Sequence, residues 1–175
     1  MLREVDIVVL LGLLRHHPGG WTVRSLAQEL RLPSASVQRS LDRLAQTPVF
    51  DARRRRVSMA ACDELFDHAL RYLAPVVADG ETRGLATSWA APPLADHLAE
   101  SGEMPPVWPD PQGALRGFGV KPLHPAVVAL ARANPSMYEL LALTDALRMG
   151  DGRTGALAVE LLRARIHTSP AAQSA

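Results

Sequence analysis

Two groups of residues in this chain have types and spacing suited to chemistry. They are the polar set Ser34, Ser36, Gln38, Arg39 and Arg43 and the run Arg53, Arg54, Arg55 and Arg56. Guanidinium groups neutralise phosphate oxygens and fork onto guanine, a glutamine amide pairs with adenine, and a serine hydroxyl suits either a base or a phosphate. The chemistry they suit is recognition of a polyanion, in which no bond is made or broken.

Constellations for catalysis are missing from the sequence. His16, His17, His68, His97, His124 and His167 are scattered without ligand spacing. Asp63, Asp67 and His68 read as the solvent side of one helix, and nothing marks Glu100 and Glu103 as an acid and base pair. Ser88 lacks the Gly-x-Ser-x-Gly elbow, and no phosphate-binding glycine loop is present. Cys62 has no basic neighbour to activate it, so a small buried or half-buried thiol is expected. No enzyme activity, cofactor or metal is expected.

Composition sets the frame. The 175 residues are 47% apolar, which suits one or two small globular units. A single cysteine excludes a disulfide framework and fits a reducing compartment. The apolar run from Ile7 to Leu11, continued by Leu13 and Leu14, is too short to span a bilayer, and Glu4 and Asp6 argue against a signal peptide. A cytoplasmic protein with no membrane partner is expected. The near-neutral total hides an asymmetry. Residues 1–60 hold ten arginines against five acids, a net +5, whereas 61–112 carry −7 and 113–175 carry +3. A basic N-terminal part followed by an acidic middle suggests a polyanion-binding face.

The elements that must position these residues follow from periodicity and punctuation. A first helix, Val5 to Arg15, is apolar on more than one face and should be buried on several sides. Thr22 caps a second, Val23 to about Leu30. After Pro33, a third helix with Ser34 as N-cap runs to Leu44, burying Val37, Leu41 and Leu44. Counted at about 100° per residue from Val37, Arg39, Arg43 and Ser36 point away from that stripe, with Gln38 on the flank. Asp42 shares this face and is expected to limit approach or hold an arginine. Val49-Phe50 and Val57 to Met59 enclose the arginine run in a small hairpin. A fourth helix, about 60–76, turns Leu65, Phe66, Ala69, Leu70 and Leu73 inward.

The segment 77–122 is rich in proline and glycine yet too apolar for a disordered linker. Irregular backbone is expected there, with a short helix near Leu94 to Glu100 and short strands near Arg83 to Trp89 and Leu115 to Val120. A C-terminal helical unit spans 123–167. It has a helix at Pro125 to Ala133, a second opened by Asn134-Pro135 and closed at Gly150-Asp151-Gly152, and a last from about Arg153 to His167. Residues 168–175 read as a frayed, disordered tail.

The stretch from Val23 to Leu44, with a helix before it and a charged hairpin after it, resembles the winged helix-turn-helix of MarR- and IclR-like transcriptional regulators. The resemblance covers roughly 40% of the chain. It implies a mainly α-helical protein whose domain 1–76 lays the 34–44 helix in the major groove of double-stranded DNA, with the Arg53 to Arg56 hairpin as wing. It also implies a homodimeric transcriptional repressor acting by operator occupancy. The all-round apolar first helix suggests self-association, and the C-terminal helix pair is a second candidate interface, for which ordinary core is the favoured reading. The runner-up is a protein-interaction or antitoxin-like module that grips a protein partner through the acidic middle or the C-terminal region. A small-molecule pocket near Trp89, Trp108 or Phe118 is a third option.

Overall fold

The computed structural model describes residues 1–98, 102–150 and 152–173. Three points of the sequence reading, the Glu100 end of a short helix, Asp151 in the loop after Gly150 and the last two residues of the 168–175 tail, lie outside them. The protein is mainly α-helical with two small sheets, in the order α1 (Glu4–Leu14), α2 (Val23–Leu30), α3 (Ser34–Leu44), β1 (Phe50–Asp51), β2 (Arg56–Val57), α4 (Met59–Glu64), α5 (Leu70–Leu73), β3 (Ala78–Ala86), β4 (Pro106–Pro109), β5 (Leu115–Val120), α6 (Val127–Ala133), α7 (Pro135–Met149) and α8 (Gly152–His167).

Helix α1 has no polar face to offer water, so it is covered on all sides by α2, α3 and α7. Its apolar residues from Ile7 to Leu14 are at most 1% exposed. Gly12 lets α2 approach closely, because a Cβ there would sit 2.9 Å from the Leu30 side chain. Burial within its own chain accounts for the character of α1, which therefore offers no free face to a second copy. Thr22 caps α2 as expected, accepting from the Ser25 N–H at 3.0 Å while the Ser25 hydroxyl accepts from the Thr22 N–H. Arg31 ends α2 in the left-handed region at φ 55°. The cap of α3 differs from expectation: Pro33 occupies the N-cap position, its carbonyl accepting from Ser36 and Val37, and Ser34 is the first helical residue and is exposed.

The helix after the hairpin is broken by a π-helical turn over Leu65–Ala69. The extra residue in that turn rotates the last turn of the helix, so Leu73, expected inside, is 41% exposed, while Leu65, Phe66 and Leu70 keep to the core. The segment 77–122 is more ordered than its prolines suggest. Strand β3 pairs antiparallel with β5 along its first part and with β4 at its end, and β4 closes the figure by pairing parallel with β5. Glycine makes this closure possible, since a Cβ at Gly84 would lie 2.1 Å from the Trp108 carbonyl oxygen and one at Gly117 1.9 Å from that of Pro105. Among the described residues of the stretch where a short helix was expected, a 3-10 turn forms over Leu94–Asp96.

Asn134 caps α7 through the Met137 N–H, with Pro135 in the first turn, as the sequence indicates. The tail departs from the frayed reading as far as it is described: Ala171 is 3% exposed and its N–H donates to the Leu14 carbonyl. One apolar core runs from α1 through α7 to α8. Leu140, Leu141, Leu147 and Leu162 belong to it, so the C-terminal pair is core rather than a free interface. Among the described residues, no helix is long and apolar enough to cross a membrane.

Candidate functional site

Helices α2 and α3 meet across the Arg31-Leu32-Pro33 turn and rest on α1, with the β1–β2 hairpin beside α3. Val37, Ser40, Leu41 and Leu44 anchor the inner face of α3. The opposite face is exposed at Ala35, Gln38, Arg39 and Asp42 and continues past the helix end to Gln46. Ser34 is exposed at the first turn, and Ser36 is half-buried at the edge of this stripe. Ala35 and Gln46 were not singled out from the sequence, although the same angular count places both near the centre of the outward face.

Two side-chain pairs order the stripe. The Gln38 amide nitrogen donates to Asp42 Oδ1 at 2.8 Å, and Arg39 Nη2 donates to Ser36 Oγ at 3.2 Å. Of the two roles expected of Asp42, limiting approach or holding an arginine, the second is not seen: its carboxylate holds Gln38.

Arg43 is the clearest departure. Its guanidinium turns inward to the α1 carboxylate of Asp6, with Nε 2.8 Å and Nη2 2.5 Å from the two oxygens, and Nη2 also donates to Ser40 Oγ. Asp6 is fully buried and the Arg43 side chain 18% exposed. The hydrogen bond to Asp6 raises the Arg43 pKa further above its ordinary value. Arg43 is therefore a clamp between α3 and α1, occupied before any ligand arrives. An aspartate beside the apolar run of α1 was the available signal, since a buried carboxylate demands a cation.

The hairpin splits its arginines. Arg55, in the left-handed region at φ 51°, lays its guanidinium 4.0 Å over the Trp21 ring and donates to the Trp21 carbonyl. All four arginines are exposed, but Arg53, Arg54 and Arg56 make no contact with Trp21, and Arg54 lies 3.5 Å from Asp51. The Asp51 carboxylate accepts the backbone N–H groups of Arg54 and Arg53, which hold its pKa below the ordinary value and fix the turn. A crevice of about 150 Å³ separates α3 from the hairpin, with Gln38 and Asp42 on one side and Trp21, Phe50 and Arg55 on the other.

Other sequence candidates have structural employment. Asp63 accepts from His167, and Asp63 and Asp67 both pair with Arg163, tying the π-helical region to α8 rather than facing solvent alone. Cys62 is buried, and burial pushes its thiol up to about 12. Trp108 is 1% exposed and donates to Asp145, so it is core and not the lining of an open pocket.

Comparison with family models, curated proteins and solved structures finds no match to this chain.

Proposed function

We propose that the protein is a sequence-specific, double-stranded DNA-binding transcriptional regulator of winged helix-turn-helix type, a cytoplasmic homodimer that represses by occupying its operator. One observation carries the reading: an exposed polar stripe on α3 stands beside a hairpin presenting Arg53, Arg54 and Arg56, in the part of the chain that carries +5. A helix of this kind enters the major groove and contacts base edges, while hairpin arginines neutralise phosphates. Ser34 and Ser36 near the start of α3 suit phosphate or base contacts, and Gln38 and Arg39 suit base edges. Arg43 and Arg55 serve by holding α3 and the hairpin in place.

The test is fluorescence anisotropy of the purified protein on the DNA upstream of its own gene against scrambled DNA of equal length. A preference of about a thousandfold supports site-specific regulation. Equal binding to both duplexes would reduce the face to a nonspecific basic patch.

A second reading, a protein-interaction or antitoxin-like module, is favoured by the apolar side chains at the start of the acidic middle. Tyr72 is 76%, Val77 60% and Leu73 41% exposed. Stoichiometric co-purification of a second protein, lost in Tyr72→Asp, would favour it. The same three side chains suit contact between two copies, and a particle of about twice 18.9 kDa in mass photometry would fit the homodimer.

A further inference from the structure

Asp42 is an unusual residue to find on a face proposed to meet phosphates. Among the described residues it forms no ion pair, since Arg43 is turned to Asp6 and Arg39 to Ser36. Its carboxylate is instead used on Gln38, one helical turn earlier, accepting one amide N–H at 2.8 Å. Both side chains are exposed, and they border the crevice between α3 and the hairpin.

On the DNA-binding reading above, we propose that Asp42 is a specificity-determining residue that fixes the Gln38 amide so that α3 accepts adenine and rejects guanine at one operator position. The argument is a count of donors and acceptors. A glutamine amide has two N–H donors and one oxygen acceptor. With one N–H committed to Asp42, the remaining N–H and Oε1 form a donor and acceptor pair. Adenine presents N7 as acceptor and N6 as donor in the major groove, the complement of that pair. Guanine presents two acceptors, N7 and O6, so its O6 would face Oε1. Turning both N–H groups to guanine would cost the bond to Asp42 and leave a carboxylate without its donor in a drying interface. The Asp42 charge also repels the phosphates of every duplex, lowering affinity for all sequences while sharpening the choice among them.

The experiment is selection from a library of random-sequence duplexes by the purified full chain, with Gln38→Ala, Asp42→Ala and Asp42→Asn beside the wild type. The wild type should enrich a motif in which one position favours adenine over guanine by roughly tenfold or more. Gln38→Ala should lose base preference there, and Asp42→Ala should accept adenine and guanine alike. Asp42→Asn, which keeps an acceptor oxygen without the charge, should keep adenine and bind all duplexes several-fold more tightly. An Asp42→Ala motif identical to the wild type would overturn the assignment while leaving the DNA reading intact. So would a loss confined to a neighbouring cytosine, which Asp42 would then read itself. A wild type that enriches no sequence would overturn the DNA reading and this inference together.

Discussion

Arg43 and Arg39 sit one turn apart on α3 with the same chemistry, yet Arg39 stays exposed on a bond to Ser36 whereas Arg43 is held by a buried carboxylate. Arg43→Ala would leave the Asp6 carboxylate buried without its cation, and loss of one partner of such a pair costs about 3 kcal/mol or more. Urea unfolding should show that loss; a base-reading arginine would instead leave stability unchanged and alter sequence preference. His124 gives a pH-dependent counterpart. Burial lowers its pKa below the ordinary value, and its neutral Nδ1 accepts the Ala126 N–H at 3.1 Å. A depressed histidine contributes stability that is present above the unfolded pKa near 6.5 and is lost as pH falls through the folded value. The drop in melting temperature from pH 7.5 to pH 5 should therefore shrink in His124→Asn, whose amide oxygen can accept at either pH. At this scale the sequence yields residue types and outward angles. It cannot show which distant side chain claims a group, and the inward turn of Arg43 escapes it because Asp6 lies 37 residues away.

Local rules suffice for the elements that carry their own punctuation. Thr22 and Asn134 mark the starts of α2 and α7, and the apolar spacing of Val37, Leu41 and Leu44 gives α3 its inner face. Elements defined by partners are harder to read. Strand β4 begins and ends with proline and cannot be told from a loop until β3 and β5 are beside it. The π-helical turn over Leu65–Ala69 displaces the inward face by a residue, which no periodicity anticipates. The α1–α2 contact offers a direct check. Gly12→Val would drive two methyl groups into Leu26 and Leu30, and overpacking of this sort costs about 1–3 kcal/mol. Thermal melting should register it, whereas unchanged stability would mean that α2 can retreat freely from α1.

Across the whole molecule, a buried polar centre joins α7 to the strands. Asp145 accepts from Thr87, Trp108 and Arg148 at 2.8, 2.6 and 2.5 Å, and Arg148 donates from Nε to the Ala74 carbonyl at 2.7 Å. Burial raises the Asp145 pKa, against the pull of Arg148 and the hydrogen bonds. Asp145→Ala leaves Arg148 uncompensated and should lose about 3–5 kcal/mol, whereas Asp145→Leu with Arg148→Met should recover much of it in urea titrations. With α1 packed on both α3 and α7, the inner face of α3 and the helix that carries Asp145 share one continuous core. The division of labour proposed for the exposed stripe of α3 and the hairpin is open to one direct measurement: anisotropy over a salt series, on upstream and scrambled duplexes, for the wild type, Gln38→Ala/Arg39→Ala and Arg53→Ala/Arg56→Ala. The α3 variant should lose the preference for upstream DNA while keeping its salt-dependent binding to both duplexes. The hairpin variant should weaken on both and lower the slope of log affinity against log salt by about 2. Wild-type protein that fails to distinguish the two duplexes, or an α3 variant that still does, would contradict recognition through α3.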